Sequence, residues 1–167
     1  MIKLEDLRQK KWWMYLERDL QELLSESLVL LVRTKEWDQS FHDYSFVVFP
    51  AAKAYEGFLK KLFLDMGFIS KDDYYGKHFR IGKSLNPTLD PRFRDNDWVY
   101  DDLTKFCKGE ALPQKLWQTW KNSRNLVTHW FPNEQNAIDL VEAEKRIEMV
   151  IVAIDEVFGE CSVQLKY

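Results

Sequence analysis

Ala51-Ala52-Lys53-Ala54-Tyr55-Glu56-Gly57-Phe58-Leu59-Lys60-Lys61-Leu62-Phe63-Leu64-Asp65-Met66 carries apolar side chains at 51, 54, 55, 58, 62 and 66. Steps of three and four residues are the period of a helix with one buried face. The reading starts this helix after Pro50 and stops it at Gly67, a residue suited to the left-handed turn that ends helices. The same period runs upstream through Leu4, Leu7, Trp12, Leu16, Leu20, Leu23 and Leu24 and on to Leu31, which predicts one N-terminal helix within residues 1–40. Downstream, a short helix is expected over Asp97–Phe106. Pro113, tolerated in a first turn, opens another that should run to about Thr128, where Pro132-Asn133 breaks the chain. Leu140, Ile147, Val150, Ile151, Ile154 and Phe158 line one face of a last helix that ends at Gly159. Between residues 70 and 96 the periodicity fades and Gly76, Gly82, Pro87 and Pro91 punctuate an irregular basic loop. Val163, Leu165 and Tyr167 alternate, as in a short extended arm. The expected fold is an all-α, up-and-down bundle of four or five helices, with residues 1–167 forming one domain.

Composition narrows the function. With 167 residues, 46% hydrophobic and 15% aromatic, the chain can build a sizeable core. A net charge of −3 argues against a general polyanion-binding surface, so any nucleic-acid contact must use a local basic patch. The candidate patch is the middle of the 70–96 loop, where Lys77, Arg80 and Lys83 stand with His78, Arg92 and Arg94. Cys107 and Cys161 have no CxxC neighbour, so neither a zinc site nor a disulfide framework is expected, and an intracellular, cytoplasmic setting fits. The first residues do not read as a signal peptide, and the longest apolar runs are too short to span a bilayer. No metal or other cofactor is expected. His42 and His78 read as surface residues, and Trp12-Trp13 and Trp117/Trp120 as core or interface.

The candidate chemistry lies in Ser123-Arg124-Asn125-Leu126-Val127-Thr128-His129. An arginine holds a phosphate through a planar fork of donors, and an imidazole titrates near neutrality and moves protons. In an unbroken helix, five residues turn through roughly 140° beyond one full circle, so Arg124 and His129 would face different sides. Two arrangements could bring them to one phosphate: the helix unwinds near Thr128, or two copies of the chain face each other. Asn125 and His129, four residues apart, would share a face, where Asn125 could orient the imidazole or cap a broken turn.

Arg124-Asn125-x3-His129, placed before a final amphipathic helix in an all-helical chain, resembles the R-x4-6-H motif of HEPN domains. Tyr55 to Leu62, with Glu56, is similar to the HEPN helix that often bears an acidic residue, and Ala143-Glu144-Lys145-Arg146 with the run after it to the last helix. Together these cover most of residues 44–158. Within the superfamily the chain is most similar to the toxin domain of RnlA-type ribonucleases. The first forty residues and the basic loop are outside the motif. The resemblance implies a metal-independent endoribonuclease acting as a homodimer on RNA, often the toxin of a toxin-antitoxin or phage-defence pair. It assigns phosphate binding to Arg124, general acid-base work to His129 and the local turn to Asn125, and it makes Glu56 either the group that orients Arg124 or His129 or a partner base. It also implies cleavage by the ribose 2′-OH, leaving a 2′,3′-cyclic phosphate and a 5′-OH.

Two alternatives stay open at this point. One is a non-catalytic helical interaction module. The other is a HEPN partner of a separate nucleotidyltransferase; the chain itself has no Gly-Ser segment followed by paired aspartates.

Overall fold

The computed structural model describes residues 2–160. Among them it is all-helical, with no strand. The elements are α1 (Leu4–Arg8), α2 (Arg18–Glu36), α3 (Ser45–Asp65), α4 (Lys71–Tyr75), α5 (Ile81–Ser84), α6 (Tyr100–Phe106), α7 (Ala111–Trp120), a π turn (Lys121–Asn125), α8 (Leu126–Thr128) and α9 (Leu140–Glu160). The extended tail read at 161–167 lies outside the described residues. No helix among the described residues is long and apolar enough to cross a membrane.

Pairwise contacts give the topology. Leu20 packs where a Cβ of Gly57 would sit, and Ser27 donates to the Val47 carbonyl, so α2 and α3 run antiparallel. Lys35 pairs with Glu144, and Trp12 at the other end reaches Asp155, so α9 runs against α2 and along α3. Lys115 pairs with Glu156 while Arg146 reaches Asn122, which sets α7–α8 antiparallel to α9. The result is an up-down-up-down bundle whose core is the stripe of Tyr55, Phe58, Leu59, Leu62 and Phe63 against Leu24, Leu31, Leu116, Ile147, Val150 and Ile154. Leu62 and Ile151 are both buried in it. Either one changed to alanine is expected to destabilise by about 2–5 kcal/mol, measured by urea unfolding.

Three boundaries differ from the sequence reading, each for a local reason. The run from Leu4 to Leu31 is not one helix, because Leu16 and Glu17 are extended (ψ 137° and 153°) and a single 3₁₀ turn at Trp13–Tyr15 separates α1 from α2. That break lets Trp12 bury its ring and donate through Nε1 to Asp155 at 2.5 Å, with Lys10 on the other carboxylate oxygen at 2.7 Å. Hydrophobic period alone cannot register it, since both sides of the break are apolar. Helix α3 starts at Ser45, not after Pro50. Asp43 accepts from the Ser45 N–H and hydroxyl and from Ile138 N–H, which fixes the entry. Pro50 forgoes one early hydrogen bond without stopping the helix. The 70–96 stretch is not wholly irregular: Ser70 and Asp73 form a reciprocal capping box on α4, and α5 buries Ile81. Gly67 does close α3 in the left-handed region, φ 73°. Cys107 packs against the core at the end of α6; the other cysteine lies outside the described residues.

Candidate functional site

Helix α7 does not end at Trp120; it widens. Leu126 N–H bonds to the Lys121 carbonyl five residues back, the mark of a π turn. Two side chains favour the distortion. Ser123, fully buried, donates to the Thr119 carbonyl at 2.6 Å, a back-bond that bends helices. Arg146 of α9 donates through Nη1 to the Asn122 carbonyl at 2.6 Å while Nε holds Glu142 at 3.0 Å. With 13% of its side chain exposed, Arg146 is nearly enclosed around that carbonyl. Arg146→Ala is therefore expected to cost about 1.5–3 kcal/mol in thermal unfolding, the range for a lost charged hydrogen bond.

The π turn carries Arg124. Its Nε donates to Glu56 Oε2 of α3 at 3.1 Å, with about a third of each side chain exposed, and its guanidinium lies 5.6 Å from the Trp120 ring centroid. Among the described residues no hydrogen bond engages either Nη group. Glu56 thus faces Arg124 across the bundle, and Lys60, the neighbour four residues on, lies over the Phe79 ring. The helix ends at Thr128, whose hydroxyl donates to the Arg124 carbonyl at 2.9 Å. His129 then leaves in extended conformation, φ −107°, ψ 135°. Its carbonyl accepts from the Asn136 side chain, while the exposed ring makes no hydrogen bond with described residues. The helix thus unwinds after Thr128, but His129 and Arg124 line different hollows.

Three adjoining hollows organise the remaining residues. One of about 310 Å³ lies between Lys53, Glu56, Arg124 and Thr128. A second, about 300 Å³, is lined by Thr128, His129, Trp130, Asn136 and His42. The third, about 500 Å³, lies on the other side of Arg124 among Glu56, Asn125, Arg80, Lys83, Trp117 and Trp120. Glu56 and Arg124 border the first and third, and Thr128 the first and second, so neighbouring hollows share wall residues.

Of the residues singled out from the sequence, Arg124, Glu56, Asn125, Arg80 and Lys83 come together. His129 stands one hollow away. Asn125 shares no hollow or hydrogen bond with His129 among the described residues, so its side chain does not orient that ring within one chain. Lys77 contributes its carbonyl to Arg80 Nη1 at 2.9 Å and does not line the cleft. Lys83 is ion-paired with Asp95, whose carboxyl that pairing holds below the usual carboxylate range. Sequence reading missed His42 beside His129, and Trp117 and Trp120 in the cleft. The signal for the tryptophans is present: 117, 120 and 124 are spaced to share one helix face.

Residues 13–85 match the family model described as RnaseLS-like HEPN. The match includes α2, α3 and Glu56, takes in much of the N-terminal stretch that the motif left out, and ends before Arg124. No curated protein and no solved structure matches the chain.

Proposed function

We propose that this chain, a member of the HEPN superfamily through its residues 13–85, is a metal-independent endoribonuclease whose phosphate-binding group is Arg124 and whose proton carrier is His129. The observation that supports it best is the state of Arg124: tethered by Glu56 through Nε, with both Nη groups uncommitted among the described residues. That is the orientation of a guanidinium prepared to take two phosphate oxygens. Attack by the ribose 2′-OH on the bound phosphorus forms the new P–O bond and expels the 5′-oxygen, leaving a 2′,3′-cyclic phosphate and a 5′-OH. One proton leaves the 2′-OH and one reaches the departing oxygen; His129 carries one of these transfers. Glu56 sets the guanidinium, and Lys53 adds charge in the hollow beside it.

His129 and Arg124 border different hollows, so a second copy facing the first would supply the complementary group to each phosphate. Sedimentation equilibrium is expected to show a dimer; a monomer throughout, in the presence of RNA as well, counts against a shared site. The role as toxin of a toxin-antitoxin or phage-defence system follows the RnlA-type resemblance. It predicts growth arrest on expression in bacteria, relieved by His129→Ala. The deciding experiment is incubation of purified protein with single-stranded RNA in EDTA. Cleavage with cyclic-phosphate ends is expected, and absence of cleavage under all conditions, with no partner added or removed, overturns the reading.

A further inference from the structure

Resting on that reading of Arg124, we propose that the cleft of about 500 Å³ beside it is a nucleotide subsite for single-stranded RNA. It takes the base next to the scissile phosphate against the Trp117–Trp120 pair and the neighbouring phosphate on Arg80 and Lys83. Its volume falls within the ~300–1,000 Å³ typical of small-ligand sites.

The tryptophans are not simply core. Their rings stack at 5.5 Å with an interplanar angle of 16°, and the Arg124 guanidinium lies over Trp120. Trp117, Trp120 and Arg124 therefore form a ladder along one helix face, and it ends at the phosphate-binding group. Trp117 is half-buried, so part of its indole forms the cleft wall. Trp120 is buried, yet its indole Nε1 has no hydrogen-bond partner among the described residues. A buried N–H without a partner is uncommon, and here it belongs to a ring bordering an open polar cleft. Gly82 makes the arrangement possible: any Cβ there would run into the Trp120 ring. The backbone of α5 can thus approach the indole closely and bring Arg80 and Lys83 into the lining of the same cleft.

The chemistry of the lining selects the ligand. Aromatic faces accept any base by stacking, and cations track the phosphates, the combination by which proteins hold single strands. A duplex would keep its bases paired and unavailable to an indole. Asp95 modulates the site, because its carboxylate offsets the Lys83 charge and repels an incoming phosphate.

The test uses a short RNA with 2′-O-methyl groups throughout, which binds but cannot be cleaved. Trp117→Ala is expected to weaken its binding by about 5- to 150-fold, the range for one lost base stack. Trp117→Phe should restore most of it. Moving a single abasic position along the RNA should identify one place where wild type loses as much as Trp117→Ala does. At that place the variant should lose nothing further. Asp95→Asn is expected to tighten binding up to about fivefold at low salt, the range for one exposed ion pair. If folded Trp117→Ala binds as wild type does, the subsite is wrong. Should that variant not fold, the abasic scan on wild type decides alone, and a scan with no sensitive position overturns the proposal. Binding to this RNA is independent of cleavage. A protein that stacks the base but never cuts RNA retains the subsite and loses the ribonuclease reading, and the reverse pattern does the opposite.

Discussion

His129→Ala is expected to slow RNA cleavage by about 10²–10⁴-fold, the usual contribution of a positioned acid or base. The structure makes this a clean substitution. The ring is exposed and makes no hydrogen bond with described residues, so its loss leaves no buried group stranded. The neighbouring turn is held by other atoms: Asn136 bonds the carbonyls of Leu126 and His129, and the latter belongs to the main chain. Melting temperature should therefore change little while the rate collapses. Binding of the uncleavable RNA should also be nearly retained, since the phosphate-binding charge remains. Equal rates for wild type and His129→Ala on several RNAs would remove His129 from the mechanism. In that event His42, which borders the same hollow, is the histidine left to examine.

The long helices and their buried faces were readable because burial repeats along the chain. Phe58, Leu62, Ile147 and Val150 lie at helical spacing and all sit in the core. Gly67 announced its turn because a positive φ favours glycine. The break at Leu16-Glu17 left no such mark. It is made by tertiary contacts, the indole of Trp12 and the ammonium of Lys10 meeting Asp155 about 140 residues away. The start of α3 was hidden for the same reason, since Asp43 serves both Ser45 and Ile138. Within the candidate site, residue types marked a segment but not its geometry. A π turn depends on Ser123 reaching back to Thr119 and on Arg146 arriving from another helix. Neither is visible in the spacing of Arg124 and His129. Likewise, Arg80 and Lys83 come to Arg124 only because α5 buries Ile81 and Gly82 lets it close on Trp120.

Arg124→Lys is expected to reduce the rate by about 10²–10³-fold, the cost of losing one donor aimed at transition-state charge. Charge is conserved in this change, so long-range attraction for RNA survives. What disappears is geometry. A lysine has no Nε to donate to Glu56 while two further N–H groups stay free for a phosphate. Its ammonium can bind Glu56 or the phosphate, and the nearby carboxylate competes directly. The loss should therefore fall on kcat more than on KM, since an ordinary phosphate contact remains while the bidentate one does not. Glu56→Gln gives the complementary result. The amide oxygen still accepts from Nε, so orientation is partly kept and the rate should drop less than for Arg124→Lys. The double variant should be no slower than Arg124→Lys alone if Glu56 acts only through the arginine. A Glu56→Gln loss equal to that of His129→Ala, and persisting in the Arg124→Lys background, would make Glu56 a proton carrier in its own right and not a positioning residue.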